Sequence, residues 1–261
     1  MTANRPVLAG VDASEPSYAA VRWAAREAGR RDTTLRLVHA CIFEGTRANE
    51  HDELLLEHIY RRLHRAAAIA RDWAPGVRVQ TAVRLGLAAD LLLEESADAA
   101  LVVLGSHGLG GLRGALIGSV ALRVAAEAPC PVVVVPGYQP ARTGPVVAGI
   151  DRSESSEHAL RFAFEEAAAT RAPVLVVHAG HGGDAELAAR VAAWRRKYPD
   201  LDVRTRFAPE REPARALQRA APDARLIVVG TRGRGPVAGG ILGSTGNTLL
   251  AHAACPVAVV H

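Results

Sequence analysis

The sequence predicts an α/β protein made of two tandem open parallel sheets, each of five strands with helices on both faces. Three observations support this prediction. The first half of the 261-residue chain returns in the second half, strand-like apolar runs alternate with amphipathic helical segments, and each half carries a glycine-rich stretch after a buried strand. Alternating strands and helices imply parallel pairing through right-handed crossovers. Uninterrupted apolar strands such as "LVVLG" fit a sheet that is covered on both faces.

The repeat divides the chain into two predicted domains. "PVLAGVDASEPSYAAVRWAAREA" (6–28) matches "PVVAGIDRSESSEHALRFAFEEA" (145–167) at an offset of 139 residues, and the glycine-rich stretches and "CPVVVV" and "CPVAVV" match at an offset of 125. The second copy has therefore lost 14 residues, which we assign to a shortened crossover between its strands 2 and 3. With "PGYQPARTGP" as the linker, the predicted domains are 1–138 and 145–261.

The elements of the first copy can be assigned in order. "PVLAGVD" is the first strand, and Ser14 is the predicted N-cap of the helix that runs through "SYAAVRWAAREAGRR". The next elements are strand "TLRLVHA", the long helix "NEHDELLLEHIYRRLHRAAAIARDWA", strand "VRVQTAVRLG", helix "LAADLLLEESAD", strand "AALVVLG", a helix over about 119–127, and strand "CPVVVVP". The second copy repeats this order with a shorter second helix, "GDAELAARVAAWRRKYP".

Composition narrows the class of protein. Hydrophobic residues make up 49% and aromatic residues only 4%, which predicts a core of Ala, Val and Leu. The net charge is +4, and the arginines are scattered along helical segments as on solvated faces. No dense basic run with interleaved aromatics appears, so nucleic-acid binding has little support.

Cysteine use and the N-terminal sequence predict the compartment. The three cysteines form no CxxC pair, and Cys130 and Cys255 each precede a proline and an apolar run, as small buried hydrophobic residues do. "MTANRPVLAG" has no apolar signal region, and no window approaches ~18 uninterrupted apolar residues. We therefore expect a soluble cytoplasmic protein that does not bind membranes.

The glycine stretches share the spacing G-x2-G-x9-G-[ST] and stand between a buried strand and a helix. Ligands of open α/β folds bind at such carboxyl ends of strands. Glycines allow close approach to the main chain, and the first turn of the next helix offers unpaired N–H groups to a phosphate. The serine after the last glycine either caps that helix or donates to the phosphate. No lysine follows as a Walker A loop requires, and the dinucleotide-like "GRGPVA" follows strand 4 rather than strand 1.

The whole pattern resembles the ATP-binding branch of the universal stress protein family. The motifs that carry the resemblance are the glycine spacing, "GVDAS" and "GIDRS" at the first strand, "VHA" at the second, and "CPVVVV" and "CPVAVV" at the fifth. The resemblance covers nearly the whole chain, twice. It implies an adenine nucleotide alpha hydrolase-like fold with strand order 3-2-1-4-5 and a nucleotide at the switch point between strands 1 and 4.

The resemblance also implies one ATP in each copy, with Mg²⁺ held by the phosphates rather than by protein side chains. Asp12 and Asp151 would accept from ribose hydroxyls or the adenine amino group, although a carboxylate there also stabilises the following helix. Gly10 and Gly149 would let the backbone approach the ligand, and Ala40 and Ala179 would present main-chain groups to the adenine edge. The phosphates would lie against Gly105, Ser106, His107, Gly108, Arg113, Gly118, Ser119 and Val120 in the first copy, and against Gly230, Thr231, Arg232, Gly233, Gly243, Ser244 and Thr245 in the second.

No catalytic residue is predicted. Hydrolysis needs an oriented water, a base and usually a metal clamp, and no acidic residue lies between Gly105 and Val120 or after Asp223. We therefore expect a regulatory, stress-response ATP-binding module. The alternatives are a slow ATPase and a protein for cyclic nucleotides or other adenylates. The fifth strands are predicted edges that pair between the copies or between the chains of a homodimer.

Overall fold

A computed structural model describes residues 5–42, 50–108, 117–137, 142–179, 185–208, 212–231 and 242–261. The chain divides into two compact units, Met1–Tyr138 (unit 1) and Gln139–His261 (unit 2).

Unit 1 is an open parallel sheet with its first strand near the middle. Its elements are β1 (Val7–Gly10), α1 (Glu15–Arg30), β2 (Thr34–Cys41), α2 (Glu50–Trp73), β3 (Arg78–Leu85), α3 (Ala88–Ser96), β4 (Leu101–Gly105), α4 (Ser119–Glu127) and β5 (Val132–Val135). The strand order is β3-β2-β1-β4-β5, and every pair is parallel. The chain winds first toward β3 and then toward β5, so the switch point lies between β1 and β4. The predicted strand order is confirmed.

Unit 2 repeats this topology. Its elements are β6 (Val146–Ile150), α5 (Ser155–Thr170), β7 (Val174–Ala179), α6 (Ala185–Lys197), β8 (Val203–Ala208), α7 (Pro213–Ala220), β9 (Leu226–Gly230), α8 (Ser244–His252) and β10 (Val257–Val260). The strands run parallel in the order β8-β7-β6-β9-β10. Helix α6 has 13 residues where α2 has 24, so the second crossover is the shorter one.

Small side chains bring the helices close to the sheets. In α1 the alanines at positions 20, 24 and 28 are fully buried, a spacing of one helical turn that forms a smooth stripe against the strands. The four valines of β5 are buried as well. The core is built from Ala, Val and Leu, as the composition predicts.

A serine caps the start of the first helix in unit 1, and the same backbone motif ends the first helix in both copies. The Ser14 hydroxyl accepts from the Ser17 N–H at 3.2 Å, so Ser14 is the N-cap of α1 as predicted. At the other end the N–H of Thr33 donates to the Ala28 carbonyl at 2.9 Å, and Ala172 repeats that bond to Ala167 at 2.9 Å in unit 2. This six-residue closure is the Schellman motif, and the residues inside it, Asp32 and Arg171, have positive φ in both copies.

The cysteines are buried, as predicted for two of them. Burial raises the pKa of the Cys130 thiol to about 11 and that of Cys255 to about 11. A thiol protonated at neutral pH is a poor nucleophile. Cys41 is also buried, and burial raises its pKa.

Candidate functional site

The candidate site of unit 1 is a cavity of about 360 Å³ at the carboxyl ends of β1, β2 and β4. It brings together nine of the residues that the sequence predicts: Gly10, Asp12, Ala40, Gly105, His107, Gly108, Gly118, Ser119 and Val120. The sequence reasoning missed the apolar wall, which consists of Val11, Val38, Ala88, Leu92, Leu104 and Ala121, and the hydroxyl-bearing Ser17. The cavity size falls in the range of small-molecule sites, which are mostly apolar with a few polar groups.

Asp12 supports the start of α1 and also faces the cavity. Its Oδ1 accepts from the Ser14 N–H at 3.0 Å and from the Ser14 hydroxyl at 2.7 Å. Between them Ala13 adopts a positive φ of 69°, a conformation that is unfavourable for a residue with a Cβ. The helix-stabilising role of Asp12 is therefore real, and the same carboxylate lines the cavity.

Ala40 presents main-chain groups to the cavity. The Val38 carbonyl accepts from the Val11 N–H at 2.8 Å, so the backbone of Val38 faces β1, while the Cys41 carbonyl accepts from Gly86 at 2.9 Å and faces β3. Because main-chain groups alternate in direction along a strand, those of Ala40 point to the β1 side. β1 ends at Gly10, so these groups face the space beyond its end.

Three glycines around the cavity allow close packing, two at the ends of β4 and β1 and one in the loop after β4. A Cβ on Gly105 would lie 2.6 Å from the carbonyl carbon of Pro16, so α1 crosses directly over the end of β4. A Cβ on Gly108 would collide with the Asp12 carboxylate. A Cβ on Gly10 would lie 2.9 Å from the Leu104 side chain. The absence of a side chain at Gly10 thus accommodates the core beside the cavity, in addition to any ligand.

Helix α4 points its first turn at the cavity. Gly118 is its N-cap, with φ −76° and ψ 144°, and its N–H donates to the Ser106 carbonyl at 2.6 Å. Ser119 is the first helical residue, so the idea that its hydroxyl caps the helix is wrong. A glycine N-cap has no side chain to accept from the first turn, which leaves N–H groups and a partial positive charge for an anion.

Two histidines in unit 1 have different roles. His39 is buried, and its Nδ1 lies 2.6 Å from the Val11 carbonyl, where it fixes the end of β1. Its role is therefore in packing. His107 is exposed at the rim of the cavity, and its Nδ1 lies 2.9 Å from the buried Ser106 hydroxyl.

Unit 2 repeats much of this geometry. Asp151 Oδ1 accepts from the Ser153 N–H at 2.8 Å, from the Ser153 hydroxyl and from the Ser156 hydroxyl at 2.9 Å. A Cβ on Gly230 would lie 2.7 Å from the Ser155 Cβ. Gly149 has a core neighbour like that of Gly10, since a Cβ there would lie 2.8 Å from the Leu217 side chain.

In unit 2 the loop between β9 and α8 is closed at its base by the same kind of hydrogen bond from the N-cap glycine of the following helix. Gly243 is the N-cap of α8 and donates to the Thr231 carbonyl at 3.0 Å, with Ser244 and Thr245 in the first helical turn. Ala179 ends β7, opposite Ala208 of β8. The copies differ at the buried histidine, because the Nδ1 of His178 has no hydrogen-bond partner among the residues that the structure describes. Arg113, Arg232 and Gly233 lie outside the described residues.

Comparison with known proteins decides the family. The sequence profile described as "Universal stress protein family" matches residues 3–136, 143–189 and 181–261. A universal stress protein of Mycolicibacterium smegmatis is 35% identical, with 97% of this chain and 96% of that protein aligned. Universal stress protein Rv2623 of Mycobacterium tuberculosis is 32% identical, with 97% and 95% aligned.

The chain belongs to the universal stress protein family. A crystal structure of a universal stress protein from Archaeoglobus fulgidus superposes with a TM-score of 0.78 at 19% identity, covering 98% of this chain and 96% of that one. That likeness supports the fold alone.

The described part of this universal stress protein contains neither a cluster of metal-binding side chains nor a helix that could span a membrane. Among the described residues, no three His, Cys, Asp or Glu side chains are grouped so that they could hold a metal ion. None of the helices in the described ranges is both long and apolar enough to cross a membrane.

Proposed function

We propose that each unit binds one ATP and that the chain works as a regulatory module in the stress response. The observation that carries the proposal is the cavity of unit 1 at the switch point of the sheet. Its lining residues are as far apart in the sequence as Gly10 and Ala121. Its composition suits an adenine nucleotide because one end is apolar and the other is a helix N-terminus.

Each part of the nucleotide has a partner of suitable chemistry. The apolar side chains of Val38, Leu92 and Leu104 line the cavity and would contact the flat base. The main chain of Ala40 would pair with the adenine edge, and the Asp12 carboxylate would accept from the ribose hydroxyls. The phosphates would lie over the first turn of α4, where unpaired N–H groups and the helix dipole favour negative charge.

Mg²⁺ would be held chiefly by the nucleotide. Asp12 is the only carboxylate among the described residues that line the cavity, and its Oδ1 already accepts two hydrogen bonds from Ser14. Mg²⁺ takes six oxygen ligands and keeps several waters when phosphates supply the rest. The residues present therefore fit a Mg²⁺ carried by phosphates and do not form a protein cage.

Charge substitution at the helix N-termini tests both sites. Ser119 and Ser244 are exposed first residues of α4 and α8. Glutamate there stabilises the helix by its dipole yet repels phosphate. In calorimetric titrations with Mg²⁺ and ATP we expect two ATP per chain, one after Ser119→Glu or Ser244→Glu, and none in the double variant.

The neutral variants Ser119→Gln and Ser244→Gln are the matched controls and should retain binding. Binding of two ATP by the double glutamate variant would refute the site, and no binding by the unaltered chain would refute the function. Competition by AMP, ADP and cyclic AMP ranks the preferred phosphate group. Mass spectrometry of small molecules released from the purified chain identifies what it carries.

The alternative function is that of an enzyme, a slow ATPase. The rate of ATP hydrolysis distinguishes it from a binding module. A base must activate water for hydrolysis, and Asp12, which is held by Ser14, is the acidic candidate in the described cavity wall. A rate well above ~0.1 per second, within the lower range of ordinary enzymes, would replace the binding module with an enzyme. Cytoplasmic location stays a prediction, and so does pairing of the fifth strands, either between the copies or between the chains of a homodimer. The mass of the chain in solution tests the homodimer.

A further inference from the structure

We propose that His107 makes nucleotide binding in unit 1 dependent on pH, because its imidazolium contacts the phosphate tail and its neutral form adds no charge. This inference rests on the proposed binding of ATP. It concerns the regulation of one site, whereas the proposed function concerns both.

The backbone of His107 lies beside the helix terminus where the phosphates are expected. A Cβ on Gly118 would lie 3.3 Å from the His107 Cα, and Gly118 N–H donates to the neighbouring Ser106 carbonyl at 2.6 Å. From the other side, the Ser14 hydroxyl lies 3.3 Å from the His107 carbonyl oxygen. The position of the residue is thus fixed by α4 and by the loop after β1, while its side chain is exposed at the cavity rim.

Ser106 can support both charge states of the ring. Its buried hydroxyl is 2.9 Å from His107 Nδ1. A hydroxyl is both donor and acceptor, so it donates to Nδ1 of the neutral ring and accepts from Nδ1–H of the imidazolium. In both cases Nε2–H, on the opposite side of the ring, remains a donor for a phosphate oxygen.

In the described part of the chain, few charged groups surround His107, so the proton on its ring changes the charge that the phosphates meet. Among the described residues that line the cavity, the ionisable groups are Asp12 and His107. The uncharged Ser106 lies next to His107 in the chain, the uncharged Ser119 and Val120 lie at the start of α4, and Asp12 is the acidic residue that lines the cavity with it. A polyphosphate added there favours the imidazolium, and histidine changes charge between about pH 5 and 8. Binding therefore takes up a proton, and affinity rises as the pH falls.

Unit 2 has a different residue at this position. By the sequence offset of 125 residues, Arg232 is the residue of the second copy that corresponds to His107, and arginine keeps its charge throughout this pH range. The chain would then hold one nucleotide site that responds to pH and one that does not.

The test isolates unit 1 in the full chain by Ser244→Glu and compares His107 with His107→Asn and His107→Arg. ATP is titrated at about pH 6 and about pH 8. The gain in affinity on acidification should be about fivefold larger with His107 than with His107→Asn. His107→Arg should bind more tightly than His107→Asn at both pH values without the extra dependence. The terminal phosphate of ATP also takes up a proton at about pH 6, but this contribution is the same in the titrations of all three chains.

Calorimetry in two buffers of different ionisation enthalpy measures the proton directly. The His107 chain should take up more protons on binding than the His107→Asn chain. Equal pH dependence and equal proton uptake in these two chains would overturn the inference and leave a solvated loop histidine. Absence of ATP binding in all three at both pH values, with the fold intact by circular dichroism, would instead overturn the proposed function.

Discussion

Gly105 and Gly108 stand three residues apart in one loop and leave room for different neighbours. Gly105 leaves room for the backbone of α1, and Gly108 leaves room for the Asp12 carboxylate. Gly230 matches Gly105, since the start of α5 occupies the space where its Cβ would lie. The repeated spacing therefore reflects helix packing at its first glycine, in addition to the ligand binding that we propose further along the loop.

Replacing Gly105 by alanine should destabilise unit 1 through this contact. The new Cβ would lie 2.6 Å from the Pro16 carbonyl carbon and 2.7 Å from the Ser17 nitrogen, so backbone must move. We expect a loss of about 2 kcal/mol in the free energy of unfolding, measured in urea. Gly29→Ala is the matched control, because its Cβ would make only an ordinary 3.6 Å contact with Ala74. An equal loss in both variants would contradict the packing explanation.

The residues of the unit 1 cavity that belong to sequence motifs were predictable, whereas Ser17 and most of the apolar wall were not. Asp12, Ala40 and Gly118 stand at the ends of strands or the start of a helix, and motif position alone identifies them. Leu92 and Leu104 have the pattern of ordinary core residues. Only the way in which α3 packs on the sheet shows that they also line the cavity.

At the scale of elements, the strands and helices follow from hydrophobic period and local caps. Helix α4 begins and ends at Ser119 and Glu127, the predicted bounds. The physical reason is that an apolar run predicts a strand and an apolar stripe of helical period predicts a helix, whatever the element packs against. The role of the serine after the glycines was not predictable, because the residue that adopts N-cap dihedrals depends on how the loop closes. Here the Gly118–Ser106 bond places the cap one residue before Ser119.

The last two turns of α1 contain a buried ion cluster whose effect on stability depends on pH. Burial raises the pKa of the Glu27 carboxyl, but the charges of Arg31 and Arg30 and their hydrogen bonds outweigh burial, and the net shift is downward. A carboxyl whose pKa is lower in the folded chain stabilises the fold above its ordinary pKa of ~4.3 and loses this effect as the pH falls through the folded value.

Glu27→Gln should therefore destabilise unit 1 at neutral pH by about 1–3 kcal/mol and reduce its loss of stability on acidification. Urea unfolding at a series of pH values from neutral to about pH 3 measures both effects. The control is Glu57→Gln in α2, where the partner Arg61 is 3.9 Å away and both side chains are largely exposed. Acid dependence that is the same in Glu27→Gln as in the unaltered chain would contradict the role of the cluster.

At the scale of the whole molecule, one topology occurs twice with unequal crossovers and unequal sites. The long α2 and the short α6 show that a surface crossover can lose residues while the strand order stays intact. The Ser14 hydroxyl donates to Asp12 Oδ1, whereas the hydroxyls of Ser153 and Ser156 both donate to Asp151 Oδ1. We expect such differences to give the two proposed sites separate affinities without a change of fold.

If each compact unit binds one ATP as proposed, the nucleotide should stabilise the two units separately. A ligand that binds only the folded state adds about 2.7 kcal/mol at one hundred times its dissociation constant. With saturating ATP, calorimetric heating of the full chain should show stabilisation of both units. Ser119→Glu should remove the gain of unit 1 alone, and Ser244→Glu that of unit 2 alone, because each glutamate repels phosphate at its own helix.

Spectra of the tryptophans tell the units apart, since Trp23 and Trp73 lie in unit 1 and Trp194 in unit 2. If Ser119→Glu instead removed the gain of both units, the two sites would be coupled rather than independent.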